Sequence, residues 1–149
     1  MVLRGLILLL SLAGLLDALY FTLAYYGRVK KARWVPSALC APESSNCVTV
    51  VRTPYARIFG VPNSVLGGVY YLSLIGWTLA GGGGSPAVAA TAWLRGTVGL
   101  LIVVGVGAVL LGFYLIHALW RVLHLHCPLC YAAHAINAVL LVLLILVLR

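Results

Sequence analysis

The chain has 149 residues, of which 64% are hydrophobic and 8% charged, and its mean hydropathy is +1.13. That balance excludes an ordinary soluble domain and places the chain in a bilayer. The formal charge of +8 does not argue for a nucleic-acid partner, because the basic residues sit at the ends of apolar runs, where anionic headgroups and membrane orientation account for them. At about 20 residues per crossing, this length holds about four spans with short connections. The expected fold is therefore all-α: a single transmembrane four-helix domain over residues 1–149, multi-pass in the cell membrane, with lipid around it.

The first apolar run, over 3–26, is longer than a signal-peptide core, and no small-x-small cleavage site precedes its polar end. It reads as a retained helix. Asp17 falls deep within it, and an intramembrane carboxylate is expensive to leave charged and unpaired. It is read either as neutral and hydrogen-bonded across the bundle or as a proton-handling group, with no partner evident.

Residues 27–63 follow as the one extended stretch of mixed polarity, which must lie outside the hydrocarbon. Within it, 49–59 alternates apolar and basic residues around Pro54, as expected of a capping loop or short amphipathic helix on the membrane surface. A second helix fits 64–80, with Asn63 or Ser64 as its N-cap, and stops at the glycine-rich turn beginning at Gly81. A third lies within 93–120. The fourth, over 128–148, opens on Cys127-Pro128-Leu129-Cys130. Because helices two and three carry the chain away and back, the 27–63 loop and the 127–130 pair meet on one membrane face.

Cys127 and Cys130 stand one helical turn apart at a helix start, where unpaired N–H groups and the macrodipole favour a thiolate. Cys40 and Cys47 flank Ala-Pro-Glu-Ser-Ser-Asn in a loop, where a disulfide can open and close without disturbing a helix. A zinc site is the rival from a different class, since His124, His126, Cys127, Cys130 and His134 lie within eleven residues. Tyr70, Tyr71, Trp77, Trp93, Tyr114 and Trp120 are read as an interfacial aromatic belt, with no one of them singled out as stacking on a ligand.

Taken together, Cys40-x6-Cys47, Phe59-Gly60-Val61-Pro62-Asn63-Ser64-Val65-Leu66-Gly67 and Cys127-Pro128-Leu129-Cys130 ahead of Ala135-Ile136-Asn137 resemble the vitamin K epoxide reductase family over nearly the whole chain. The resemblance implies a bundle enclosing a quinone (menaquinone, ubiquinone or similar), with electrons relayed from a thioredoxin-like partner. By the same resemblance Cys130 faces the quinone, Cys127 exchanges with the loop, Cys47 attacks Cys127, and Cys40 meets the partner. Asn63 stands where animal members carry an asparagine bonded to a quinone carbonyl, and His134 where they carry a tyrosine. The expected reaction is quinone-dependent thiol oxidation, with reduction of a vitamin K epoxide or quinone in the narrow sense as the alternative.

Seven basic residues, Arg28, Lys30, Lys31, Arg33, Arg52, Arg57 and Arg121, fall on the cysteine face, and three, Arg4, Arg95 and Arg149, on the other. The positive-inside rule then turns the active site toward the cytoplasm. That orientation suits a host whose cytosol tolerates disulfides, as in hyperthermophilic archaea.

Overall fold

Apolar runs without an interior proline fold here as long helices. The computed structural model describes residues 2–28, 46–58, 60–81 and 92–148, with 46–48 and 92–95 described through their backbone. Helix α1 is Val2–Tyr25 and α2 is the short Asn46–Arg52. A 3-10 turn, Pro54–Ala56, leads into an antiparallel pair of two-residue strands, β1 (Arg57–Ile58) and β2 (Val61–Pro62). Then come α3 (Asn63–Leu79), α4 (Ala92–Ala118), a π turn (Leu119–Leu123) and α5 (Pro128–Leu148).

Three stretches, Val2–Tyr25, Gly96–Leu123 and Pro128–Leu148, are long and apolar enough to cross a membrane. Helix α3, with 17 residues, is about 26 Å long at the usual rise per residue. The four long helices close a ring: α1 packs on α3 and α5, and α4 on α3 and α5. Outward-facing Leu9, Leu16, Val103, Phe113 and Val142 are exposed, so the bundle is apolar on its outside as well as its inside, the pattern of a helix surrounded by lipid.

Such helices gain little from hydrophobic burial against one another and depend on close packing of small residues. Gly14 illustrates this, since a Cβ placed there would run into the Tyr71 ring of α3. The two helices are antiparallel. Near the chain's start Arg4 donates to the Leu79 carbonyl at 3.4 Å, while at the other end the Thr22 and Ser64 hydroxyls meet at 3.0 Å.

Two of the helix ends have local causes. Helix α3 begins at Asn63, preceded by Pro62, and no side chain caps it. The Asn63 amide is drawn instead to the Tyr55 carbonyl, donating at 3.3 Å, and the Ser64 hydroxyl to Thr22. Helix α4 ends at Ala118, short of Trp120, because the chain widens into the π turn. That turn is closed by left-handed His124 (φ 50°) and by the Leu125 N–H donating to the Leu119 carbonyl at 3.1 Å. The wider turn keeps Leu119 buried while Trp120 swings out to donate its indole N–H to the Tyr131 hydroxyl at 2.8 Å. Cys40, the basic residues Lys30, Lys31 and Arg33, and the turn from 82 onward lie outside the described residues.

Candidate active site

From the end of the bundle where α1 finishes and α5 starts, a cavity of about 1000 Å³ runs between the four helices as far as Trp77 of α3 and Thr97 of α4. Its walls are mostly apolar. Phe21 comes from α1, Val50 and Val51 from α2, Leu111 and Leu115 from α4, and the π turn adds Leu119. Into these walls a few polar side chains are set, the combination usual in a site for a largely apolar ligand.

Those polar groups share an unusual property. Among the described residues, five buried side-chain atoms have no hydrogen-bond partner: Ser11 Oγ, Asp17 Oδ1, Asn63 Oδ1, Tyr70 OH and His134 Nδ1. All but Ser11 belong to residues that line the cavity. Buried polar atoms are nearly always paired, and leaving one unpaired costs about 1–3 kcal/mol, so a cluster of four around one space marks a place built for a polar guest. Asn63 also keeps one amide N–H beyond the one it gives to Tyr55. A fifth polar group is already matched: the Tyr71 hydroxyl donates to Asn137 Oδ1 at 2.7 Å.

His134 reaches its place because α4 carries glycine opposite it. A Cβ on Gly112 would lie 2.8 Å from His134 Nδ1 and 3.1 Å from its Cγ. Any larger residue there would push the imidazole out of its seat.

The two thiols at the start of α5 are not joined in a disulfide and differ in their surroundings. Cys130 lines the cavity. Cys127 is completely buried, in a cluster with Tyr20, Phe21 and Ala24 of α1 and Val51 of α2 against which Cys130 also packs. Residue 47 precedes Val51 in α2 by four positions, one helical turn. The Cys130 thiol, hydrogen-bonded to the Cys127 sulfur, holds Cys127 below the usual thiol range. The N–H groups of Cys130 (3.4 Å) and Leu129 act in the same sense, while burial and the charge of Asp17 oppose them. Proline at the first helical position costs α5 no hydrogen bond and leaves these N–H groups turned toward the sulfur.

The histidine and cysteine side chains expected as a zinc cluster do not converge. His124 and His126 are exposed, His134 lines the cavity, and the described residues hold no group of three or more potential ligands placed for a metal ion. Of the aromatic residues left as a belt, Tyr70, Tyr71 and Trp77 are buried and line the cavity, whereas Tyr114 and Trp120 are exposed. Asn137, which the sequence presented as part of a motif without a role, holds Tyr71 at the cavity wall.

The chain matches the family model described as Vitamin K epoxide reductase family over residues 5–145. It belongs to the vitamin K epoxide reductase family. No curated protein matches the chain. Vitamin K epoxide reductase family proteins act with quinones, and membership together with the three apolar helices makes this chain a multi-pass membrane oxidoreductase. A quinone fits the residues present: a flat apolar ring suits the walls, and its carbonyl oxygens suit donors such as the Tyr70 hydroxyl and the spare Asn63 N–H.

Proposed function

We propose that this protein oxidises the dithiol of a thioredoxin-like partner, forming a disulfide in it, and passes two electrons through Cys40/Cys47 and then Cys127/Cys130 to a quinone held in the cavity. The observation that carries the reading is the split of the α5 pair. Cys130 opens on the cavity, while Cys127, one turn earlier, is packed against α1 and α2. One thiol therefore suits exchange with a ligand, and the other suits exchange with the segment that contains Cys47.

In each cycle the partner's two thiols become a disulfide, and the loop disulfide Cys40–Cys47 returns to two thiols. Thiolate attack by Cys47 on Cys127 then opens the Cys127–Cys130 disulfide and regenerates the loop pair. Reoxidation of Cys127 and Cys130 releases two electrons and two protons. The quinone, when bound, supplies the two-electron acceptor chemistry. The chain's own residues do the rest: Asn63, Tyr70 and His134 orient the ligand's polar end, Cys130 stands beside it, and the apolar walls exclude water. The Cys130 thiol's bond to the Cys127 sulfur poises Cys127 as the readier thiolate.

We read α3 as a fourth span. Its length is at the lower limit of what crosses a bilayer, and its neighbours on both sides are apolar helices. The exposed Arg52, Arg57 and Arg121 lie at the cysteine end and Arg4 at the other, which supports a cytoplasmic active-site face. Maleimide labelling of the loop cysteines from outside intact cells, with none from inside, overturns that orientation and leaves the chemistry intact.

The deciding experiment is quinone reduction by the purified protein in detergent with a reduced dithiol donor. Wild type is expected to turn over, Cys130→Ala to abolish turnover, and Cys40→Ala to retain it with small-molecule thiols only. Turnover that survives Cys130→Ala overturns the relay.

A further inference from the structure

The relay leaves the carboxyl group of Asp17 unused. Asp17 lies in the middle of α1, in a stretch otherwise made of Leu, Ala and Gly. Its Oδ1 is buried without a hydrogen-bond partner, and no Lys or Arg pairs with it among the described residues. A carboxylate in such surroundings is costly as an anion and is stabilised by taking up a proton. It lines the same cavity as Cys130, and its charge acts on both Cys127 and Cys130.

The groups around it come from every helix packed on α1. Tyr20 lies on α1 itself, Tyr71 faces it from α3, and Cys130 with the preceding Cys127 from α5. Helix α2 brings only Arg52 as a described charged side chain, and that residue is exposed. Tyr71 is already committed to Asn137. The sulfurs are therefore the groups near Asp17 that must lose protons during the cycle.

We propose that Asp17 is the proton acceptor for the Cys127/Cys130 pair, receiving a thiol proton across the cavity when the pair closes to a disulfide. The proposal rests on the quinone-oxidoreductase reading and assigns it a further residue. In the step, two S–H bonds break and one S–S bond forms. The two electrons pass to the quinone, which is the oxidant. One proton goes to the Asp17 carboxylate, which holds it at Oδ1 and gives it up within the cavity, and both protons finish on the reduced quinone. Without such an acceptor, a proton would have to leave an apolar pocket at the moment the disulfide forms.

The test compares Asp17→Asn and Asp17→Glu with wild type in the full-length detergent-solubilised protein, with two readouts. The first, made without quinone, is the pH dependence of iodoacetamide alkylation of the reduced Cys127/Cys130 pair. The Asn variant is expected to alkylate faster at a given pH, because a like charge beside the thiolates is gone, and to lose an inflection that the Glu variant keeps. The second is quinone turnover, expected to fall about 100-fold in the Asn variant, within the range for loss of a general base, with KM for the quinone unchanged and recovery in the Glu variant. If the Asn variant does not fold, the Glu variant decides: retained turnover with a shifted alkylation inflection supports the role, and an unshifted profile overturns it. Asn-variant turnover within about twofold of wild type also overturns it, while wild type that never reduces quinone overturns the underlying reading instead.

Discussion

The two ends of this bundle solve opposite packing problems. Away from the cysteines, Leu74, Leu140 and Leu144 are fully buried with Ile7 and Val98, and the buried Thr78 hydroxyl is satisfied by the Leu74 carbonyl of its own helix at 2.7 Å. Toward the cysteines, the same helices part around a cavity into which four side chains turn unpaired polar atoms. One end gains stability by filling space and the other gives some up by keeping space open. A chain of this size can hold a large cavity because the far end is closed tightly enough to carry it.

The largest effect that distinguishes the two ends is in stability. Leu74 has no exposed surface, so Leu74→Ala is expected to cost about 2–5 kcal/mol, the usual range for a buried leucine truncated without collapse. Reversible unfolding in detergent micelles measures it. Turnover per folded molecule should stay within about twofold of wild type, because Leu74 does not line the cavity. A stability loss under about 1 kcal/mol would mean that the closed end is not what holds the helices together.

How much of this division could be read from the sequence depends on which residues carry it. The helices were legible because Pro128, Gly81 and the flanking arginines punctuate apolar runs, and the Cys-Pro-Leu-Cys motif pointed to redox or metal chemistry by its position at a helix start. The split between Cys127 and Cys130 was not legible from spacing. It depends on how α2 meets the start of α5, a contact between segments some 75 residues apart, and separate roles for the two thiols entered the sequence reading only through the family resemblance. Tyr70 and Tyr71 went unassigned because aromatic residues near a membrane interface have an adequate explanation already. Asn63 or Ser64 was expected to cap α3, and the acceptor that engages the Asn63 amide, the Tyr55 carbonyl, is supplied by a turn whose path the sequence does not dictate.

The next effect sharpens the contrast within the site. The Cys130 thiol is the largest influence holding Cys127 low, so Cys130→Ala should raise the pH at which Cys127 becomes reactive. The sign follows because a hydrogen-bond donor stabilises the thiolate over the thiol, and removing it favours the protonated form. A hydrogen bond to a charged group contributes about 1.5–3 kcal/mol, so the rise should be about one pH unit or more. Cys130→Ser, which keeps a donor, should fall between. Alkylation rates of Cys127 across the neutral to alkaline range check this, and coincident profiles for wild type and the Ala variant would assign the low value to the helix N–H groups alone.

The smallest effect asks whether an unpaired buried atom means the same thing at both ends. Ser11 and Tyr70 are both buried, and each has a hydroxyl without a partner, but only Tyr70 lines the cavity. Removing an unsatisfied hydroxyl while keeping the side chain's shape is close to neutral or stabilising, so Ser11→Ala should change stability by at most about 1 kcal/mol, in the favourable direction, and leave quinone kinetics alone. Tyr70→Phe should be equally mild for stability. If its hydroxyl is kept for a ligand, though, KM for the quinone should rise about tenfold, the equivalent of one hydrogen bond of about 1.4 kcal/mol. The difference between the two variants is what counts. Two silent substitutions would make the cavity's unpaired atoms by-products of helix packing, like Ser11, whereas a kinetic penalty confined to Tyr70 makes them the polar half of a binding site.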